Sequence, residues 1–354
     1  MLAQSAKRAG LRPLVIDLFN DQDTLALSAA CWRLQGLSLA ELAPCVSTLQ
    51  ARYPVNDAIY GSGLEQDDQV LDMLQEKFRL RGNTPDTFRR VLHKEHFFQV
   101  LTQLHIDFPE VRWSPPAGTD KWLSKPCRGQ GGVGIHYSTS AAGECPAKPD
   151  CYWQRCIDGQ AMSALFLADR RESVVIGCNR QWTVNLDSCR QFLLSGLINR
   201  VQLPARARRK ITVWINSLVT TFSLTGLNSL DFIWDGRQIW LLEINPRPSA
   251  SMQLYDADYP RGLLWEHLRS NLSRLPEAAA PPRGWQILYA PEELRIPTAL
   301  QWPQWTADRP RGDSLIHTHE PICSIIACGN SQDEVLDGLH SRKQIMIEIL
   351  RKGR

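Results

Sequence analysis

In "LLEINPRPSAS" (241–251), Glu243, Asn245 and Arg247 occupy alternating positions directly after an apolar run, and Pro246 and Pro248 stop that run. Residues two apart in a strand share a face, so the three side chains project together if the strand persists to Arg247. A carboxylate beside an amide oxygen suits a hard cation such as Mg²⁺. A neighbouring guanidinium suits a phosphate or carboxylate held by two hydrogen bonds. Just upstream, "SLDFIW" and "QIWLLEI" read as two strands joined by "DGR", and Asp-Gly is a strong hairpin signal. Pairing these strands brings Asp231 beside Glu243. The expected metal set is therefore Asp231, Glu243 and Asn245, with Arg247 next to it. Glu243 follows Trp240, Leu241 and Leu242, a setting where an unpaired charge is costly.

A second chemical stretch is "DKWLSKPCRGQGGVGIHYS" (120–138). A strand "KWLSKP" leads into a glycine-rich loop and then into the strand-like "IHYSTS". "GQGGVG" fits the dinucleotide fingerprint G-x-G-x-x-G, but that fingerprint requires a helix to open at the loop. The strand context instead points to a loop that folds over phosphates, with Lys125 on the entering strand supplying positive charge. A nicotinamide oxidoreductase is the weakest reading for the same reason.

The elements that must position these groups alternate along the chain. "PLVIDLF" (13–19) reads as a strand and "DTLALSAACWRL" as a helix-like segment. "AIYGSGLEQDDQVLDMLQEKF" reads as strand, turn and helix, so residues 1 to about 80 form a small parallel α/β unit. "TPDTFRRVLHKEHFFQVLTQL" (84–104) reads as one amphipathic helix, with Thr84 as N-cap and Pro85 in its first turn. "CYWQRCIDGQAMSALFLA" (151–168) reads as strand, turn, strand, and "ARARRKITVWINSLVTTFSL" as a helix. "LPEAAAPPRG" (275–284) reads as a linker. A small β-rich region with a terminal helix follows it.

The chain has 354 residues and an apolar content of 43%, which favours two or three ordinary globular domains. It contains no apolar run of the roughly 18 residues that a transmembrane helix needs, and "MLAQSAKRAGLRP" lacks a secretion-signal core. A net charge of +3 gives little support to nucleic-acid binding, and the basic run "ARARRK" reads as a solvated helix face. Ten cysteines, with no Cys-x-x-Cys pair and no zinc spacing around Cys145, Cys151 and Cys156, read as reduced thiols in a cytoplasmic protein.

The order of a helix-borne lysine, a strand ending in "KP", a glycine loop, "WQRCIDG", "SLDF" and "EINPR" resembles the ATP-grasp superfamily of ligases over nearly the whole chain. The C-terminal segment resembles the tail of the group related to biotin carboxylase. The resemblance implies a mixed α/β and α+β fold. In it, a Rossmann-like pre-ATP-grasp domain spans 1–81 and the ATP-grasp domain spans 82–274, with a lid at about 120–165. A linker at 275–284 then leads to a β-rich C-terminal domain at 285–354. It also implies ATP and Mg²⁺, with Mn²⁺ as an alternative ion. Lys94 and Lys125 would contact phosphates, and Gly129, Gly131, Gly132 and Gly134 would cover them. Gln154, Arg155, Cys156 and Ile157 would line the adenine slot, the main-chain groups of the last two reading the base. Asp231, Glu243 and Asn245 would hold the metal, and Arg247 would face the reacting phosphoryl group or the acceptor. Three positions depart from the family pattern: His93 stands before Lys94 where an aspartate is usual, Gln154 where an acid is usual, and Ala161 where a ribose-binding glutamate is usual, with Gln160 as its substitute.

By this resemblance the partners are a small carboxylic acid and an amine or amino acid, with no nucleic acid and no membrane; a homodimer stays open. "IGCNRQWTV" and "FLLSGLIN" resemble segments of small-molecule carboxylate–amine ligases such as tyramine–glutamate ligase, which points towards cofactor biosynthesis. The alternative is a non-catalytic nucleotide-binding module. One further expectation concerns residues 1–12. They read as a helix ended by Gly10, where such enzymes open on a strand. The reading therefore expects a missing upstream strand, or a gap covered by a loop or a neighbouring subunit, and leaves 1–12 out of the site.

Overall fold

The computed structural model describes residues 1–117, 121–138, 150–270, 272 and 280–352. The expected 275–284 linker lies partly outside them, as do residues 139–149 of the expected lid, Cys145 included. Among the described residues no helix is long and apolar enough to cross a membrane.

The chain opens with helix α1 (Leu2–Arg8). Gly10 ends it in the left-handed region (φ +78), where Gly10 N–H donates to Lys7 O and Leu11 N–H to Ala6 O. This closure satisfies carbonyls that the last turn would otherwise leave open. β1 (Leu14–Asp17) pairs in parallel with β2 (Ala30–Arg33), and between them lies α2 (Gln22–Leu27). The stretch read as one helix-like segment, 23–34, is therefore a short helix followed by a strand. Ser28 leaves the helix in extended conformation, and Ala29 N–H donates to Pro13 O, which starts the parallel ladder. α3 (Leu39–Arg52) precedes β3 (Asp57–Ala58), and α4 (Gln69–Lys77) joins β3 to its parallel partner β4 (Arg79–Leu80).

The 84–104 segment is two helices, α5 (Pro85–Leu92) and α6 (Lys94–Gln103). Thr84 caps the first, its hydroxyl accepting from Thr87 N–H at 3.2 Å. His93 sits between them in extended backbone. It closes α5 through a bond from its N–H to Arg89 O, and its Nδ1 caps α6 by accepting from His96 N–H at 3.2 Å. The break makes Lys94 the first residue of α6.

Two sheets follow. The smaller has the order β5 (Val111–Arg112), β8 (Cys151–Arg155), β6 (Trp122–Pro126), β7 (His136–Tyr137), all antiparallel. The larger is built on β9 (Gln160–Asp169), β10 (Ser173–Val184), β11 (Leu193–Ile198), β12 (Thr225–Trp234) and β13 (Ile239–Asn245). Helix α7 (Ala205–Phe222) covers one face through Ile211, Ile215, Leu218, Val219 and Phe222. On the other face, α8 (Gly262–Arg269) and Tyr255 pack against Leu165, Leu167 and Leu227. β9 is consequently buried on both sides, which explains the uninterrupted small and apolar run from Met162 to Ala168.

The C-terminal strands continue this sheet. β14 (Arg283–Tyr289) pairs with β11, β18 (Pro321–Cys328) with β14, and β16 (Thr306–Ala307) with β18, giving eight strands in the order β13-β12-β9-β10-β11-β14-β18-β16. β15 (Leu294–Arg295) and β17 (Leu315–Ile316) form a separate pair. The long helix α9 (Gln332–Lys352) closes the chain, burying Val335, Leu339, Met346 and Leu350.

Candidate active site

The β12–β13 hairpin turns at Asp235-Gly236, with Gly236 at φ +92 and Asp235 Oδ1 accepting from Arg237 and Gln238 N–H. Its register sets Asp231 opposite Glu243 and Ser229 opposite Asn245, and a bulge follows at Asp231/Phe232. Directly opposed residues share a face, so the three expected ligands converge. Asn245 Nδ2 donates to Asp231 Oδ2 at 3.1 Å, and Lys94 Nζ donates to Glu243 Oε2 at 3.1 Å.

Arg247 reaches the group by another route than the one expected. The strand ends at Asn245, and Arg247 N–H folds back to Asn245 O at 2.8 Å in a tight turn. The guanidinium still reaches Asn245 Oδ1 (Nη2, 3.3 Å), but its strongest partner is Glu65 Oε1, 2.6 Å from Nε. That ion pair is buried, with side chains 8% and 6% exposed. Glu65 Oε2 also accepts from Gly63 N–H at 2.7 Å. Pro246 O is held by Asn83 Nδ2 (2.9 Å) and Tyr60 OH (3.3 Å). Sequence reasoning missed Glu65, Asn83 and Tyr60. The acid in "SGLEQD", between a glycine turn and a helix, was the available signal.

Lys125, on β6, faces the hairpin. It is opposite Tyr152 in the β6–β8 ladder, and its Nζ donates to Gln154 Oε1 at 3.0 Å. Both side chains are buried. Burial pushes the Lys125 ammonium below its ordinary value, against the pull of Glu243. Asp231 is raised to about 7 by burial and then by the Glu243 charge. Burial also acts upward on Glu243, but the Lys94 and Lys125 ammonium groups act against it and leave this carboxyl below its ordinary value. The two neighbouring carboxyls are thus pushed in opposite directions, Glu243 down by the lysines and Asp231 up by burial and the Glu243 charge, a pattern typical of sites where charge is handled.

Gly129, Gly131, Gly132 and Gly134 lie in the loop between β6 and β7, with positive φ at the last three. In the expected base slot, Arg155 N–H donates to Glu110 O and Cys156 N–H to Lys121 O, each at 2.8 Å. The Cys156 N–H is therefore engaged within the protein. The Arg155 side chain is exposed, Ile157 follows β8, and Gln160 is exposed at the start of β9. A cavity of about 620 Å³ adjoins Lys94, lined by Glu65, Trp113, Cys127, Arg128 and Asp150 among others.

Among the described residues no three His, Cys, Asp or Glu side chains gather as a metal cage. Asp231 and Glu243 offer two carboxylates and Asn245 an amide, a donor set that fits a hard divalent ion whose shell is completed by phosphate oxygens or water.

The sequence of residues 91–251 matches the ATP-grasp domain family. Three solved structures share the fold at low identity. Biotin carboxylase from Campylobacter jejuni has a TM-score of 0.71 at 11% identity, over 95% of this chain and 86% of that one. N5-carboxyaminoimidazole ribonucleotide synthetase from Thermus thermophilus has 0.72 at 12%, over 97% and 94%. L-amino acid ligase from Bacillus licheniformis has 0.71 at 14%, over 97% and 94%. The chain also aligns with 35% of the length of pyruvate carboxylase from Rhizobium etli. A search of curated proteins finds no match.

Proposed function

We propose that this chain, whose residues 91–251 match the ATP-grasp domain family in a fold shared with biotin carboxylase, is an ADP-forming carboxylate–amine ligase. In this reading ATP phosphorylates a carboxylic acid, and an amine or amino acid then attacks the acyl phosphate, releasing phosphate and leaving an amide. The observation that carries it is the convergence of Asp231, Glu243 and Asn245 with Lys94, Lys125 and Arg247 around one hairpin end. Support also comes from the names of structural neighbours, among them an L-amino acid ligase.

Each protein group has a role that follows from its surroundings. Asp231, Glu243 and Asn245 would hold Mg²⁺, which when bound neutralises phosphate charge. Lys94 and Lys125 bring two buried ammonium groups to the same side, where transferred charge develops. Arg247 is held at the far edge by Glu65, placed to orient the acid or the phosphoryl oxygens. The glycine loop between β6 and β7 would exclude water from a hydrolysable acyl phosphate. The cavity of about 620 Å³ beside Lys94 is large enough for a small acid or amino acid. Residues 1–81, 82–274 and 285–354 are proposed as the acceptor-side unit, the nucleotide-binding body and the C-terminal cap. A role in cofactor biosynthesis stays a proposal carried by the sequence resemblance alone.

The test is a screen of carboxylic acids against amines and amino acids with Mg-ATP, monitored by nucleotide product. Substrate-dependent ADP release is expected. AMP with pyrophosphate would mean adenylation and overturn the mechanism. Tight nucleotide binding with no turnover across the screen would favour the non-catalytic module.

A further inference from the structure

We infer that the turn between β10 and β11, at Gln191 and Phe192, is the catch on which the glycine loop closes, and that these two residues position the loop over the cleft; the functional part of this inference rests on the ligase reading above. Three sets of contacts join the loop to the turn. Leu194 N–H donates to Gly131 O at 3.0 Å. Gly132 lies flat against Phe192: a Cβ there would come within 1.8 Å of Phe192 O, and the residue has φ +81. Tyr137 N–H donates to Gln191 Oε1 at 2.9 Å, and the Tyr137 ring meets the Phe192 ring edge-on at 5.1 Å between centroids. The loop is therefore held near its middle and again where it re-enters β7. Only glycine can make the central approach, because a side chain would need both the room and the left-handed backbone.

The catch is itself braced from the C-terminal strands. Tyr289 OH donates to Leu194 O at 2.7 Å, so Leu194 is bonded to the loop through its N–H and to β14 through its carbonyl. Asp187, on the same turn, lies 3.1 Å through Oδ2 from His319 Nδ1, and its Oδ1 accepts from Cys189 N–H at 2.9 Å. On the opposite side, Gln66 Nε2 donates to Arg128 O at 3.1 Å, tying the start of the loop to the N-terminal unit. The loop thus bridges the N-terminal unit and the C-terminal strands, and it leaves β6 at Pro126, the residue after Lys125. A loop seated in this way retains nucleotide and excludes water, and a loop released from the catch does neither.

Two measurements on the full chain test this. The first is amide hydrogen exchange of the nucleotide-free protein. Tyr137 and Leu194 amides are expected to be protected in the wild type. Gln191→Ala should release Tyr137 and Gly132→Ala should release Leu194, while the 165–167 amides of β9 keep their protection. Fast exchange of both amides in the wild type would overturn the catch. The second is the dissociation rate of Mg-ADP, followed by displacement of a fluorescent analogue. Phe192→Ala and Gly132→Ala should each speed release at least tenfold, while the 165–167 amides of β9 keep their protection in both variants. Unchanged release in both variants would overturn the positioning role. If the wild type binds no nucleotide at all, the ligase reading and the positioning role fail, and hydrogen exchange still decides whether the catch exists.

Discussion

Removing Glu65 isolates the consequence of the long-range pair with Arg247. The two side chains are almost wholly enclosed, 2.6 Å apart, and linked across 182 residues of sequence. In Glu65→Ala the Arg247 guanidinium keeps only the longer 3.3 Å bond to Asn245 Oδ1. Leaving one member of a buried ion pair uncompensated costs about 3–5 kcal/mol. Against a total of about 5–15 kcal/mol for a folded protein, that is a large fraction. Removing both charges is far milder, because no orphan ion remains. The assay is urea unfolding of wild type, Glu65→Ala, Arg247→Met and the double variant. The midpoint should fall for Glu65→Ala with an unchanged slope, and the double variant should be more stable than Glu65→Ala alone. A Glu65→Ala loss below about 1 kcal/mol would refute the reasoning, as would a double variant whose loss equals the sum of the two singles.

Three further outcomes are expected. Glu243→Gln removes the charge that pairs with Lys94 and offsets Lys125, so Mg-dependent ADP formation should fall at least about 100-fold, the scale of losing one charge stabiliser; near-wild-type turnover would contradict the proposed metal site. His267 is buried, accepts from Leu227 N–H at Nδ1 (2.8 Å), and is held down to about 4 by that burial. Its pKa is depressed on folding, so its contribution is complete above pH 6.5 and is lost as pH falls from 6.5 towards 4, by about 3 kcal/mol in all; the pH dependence of unfolding should flatten over that window in His267→Gln, and an unflattened profile would rule this out. Thr84→Ala should cost about 1 kcal/mol by deleting the α5 cap, read from the same urea curves, whereas an unshifted midpoint would show that the cap bond carries no weight.

How far each feature could be read from sequence follows from the range of the forces that make it. The Asp231–Glu243 pairing was legible because an Asp-Gly turn and period-2 alternation act over 15 residues. The glycine loop was correctly separated from a dinucleotide fold because a strand, not a helix, follows it. β2 was not legible. Its four residues sit in an alanine-rich stretch with helical propensity, and only the ladder to β1 makes them a strand. The break at His93 was hidden because apolar periodicity runs through it. The partners of Arg247 and Pro246 come from Glu65, Tyr60 and Asn83, 182, 186 and 163 residues away, and no local pattern encodes such pairs. The continuation of the central sheet into β14, β18 and β16 escaped notice for the same reason.

The central claim is that this hairpin end drives phosphoryl transfer from ATP to a carboxylate. The most direct measurement adds hydroxylamine to the full chain with Mg-ATP and the carboxylic acid that supports ADP release. The account predicts a hydroxamate of that acid in step with ADP, because hydroxylamine intercepts the acyl phosphate, and predicts neither product with Glu243→Gln. Hydroxamate accompanied by AMP and pyrophosphate, or ADP release with no hydroxamate at saturating hydroxylamine, would contradict it.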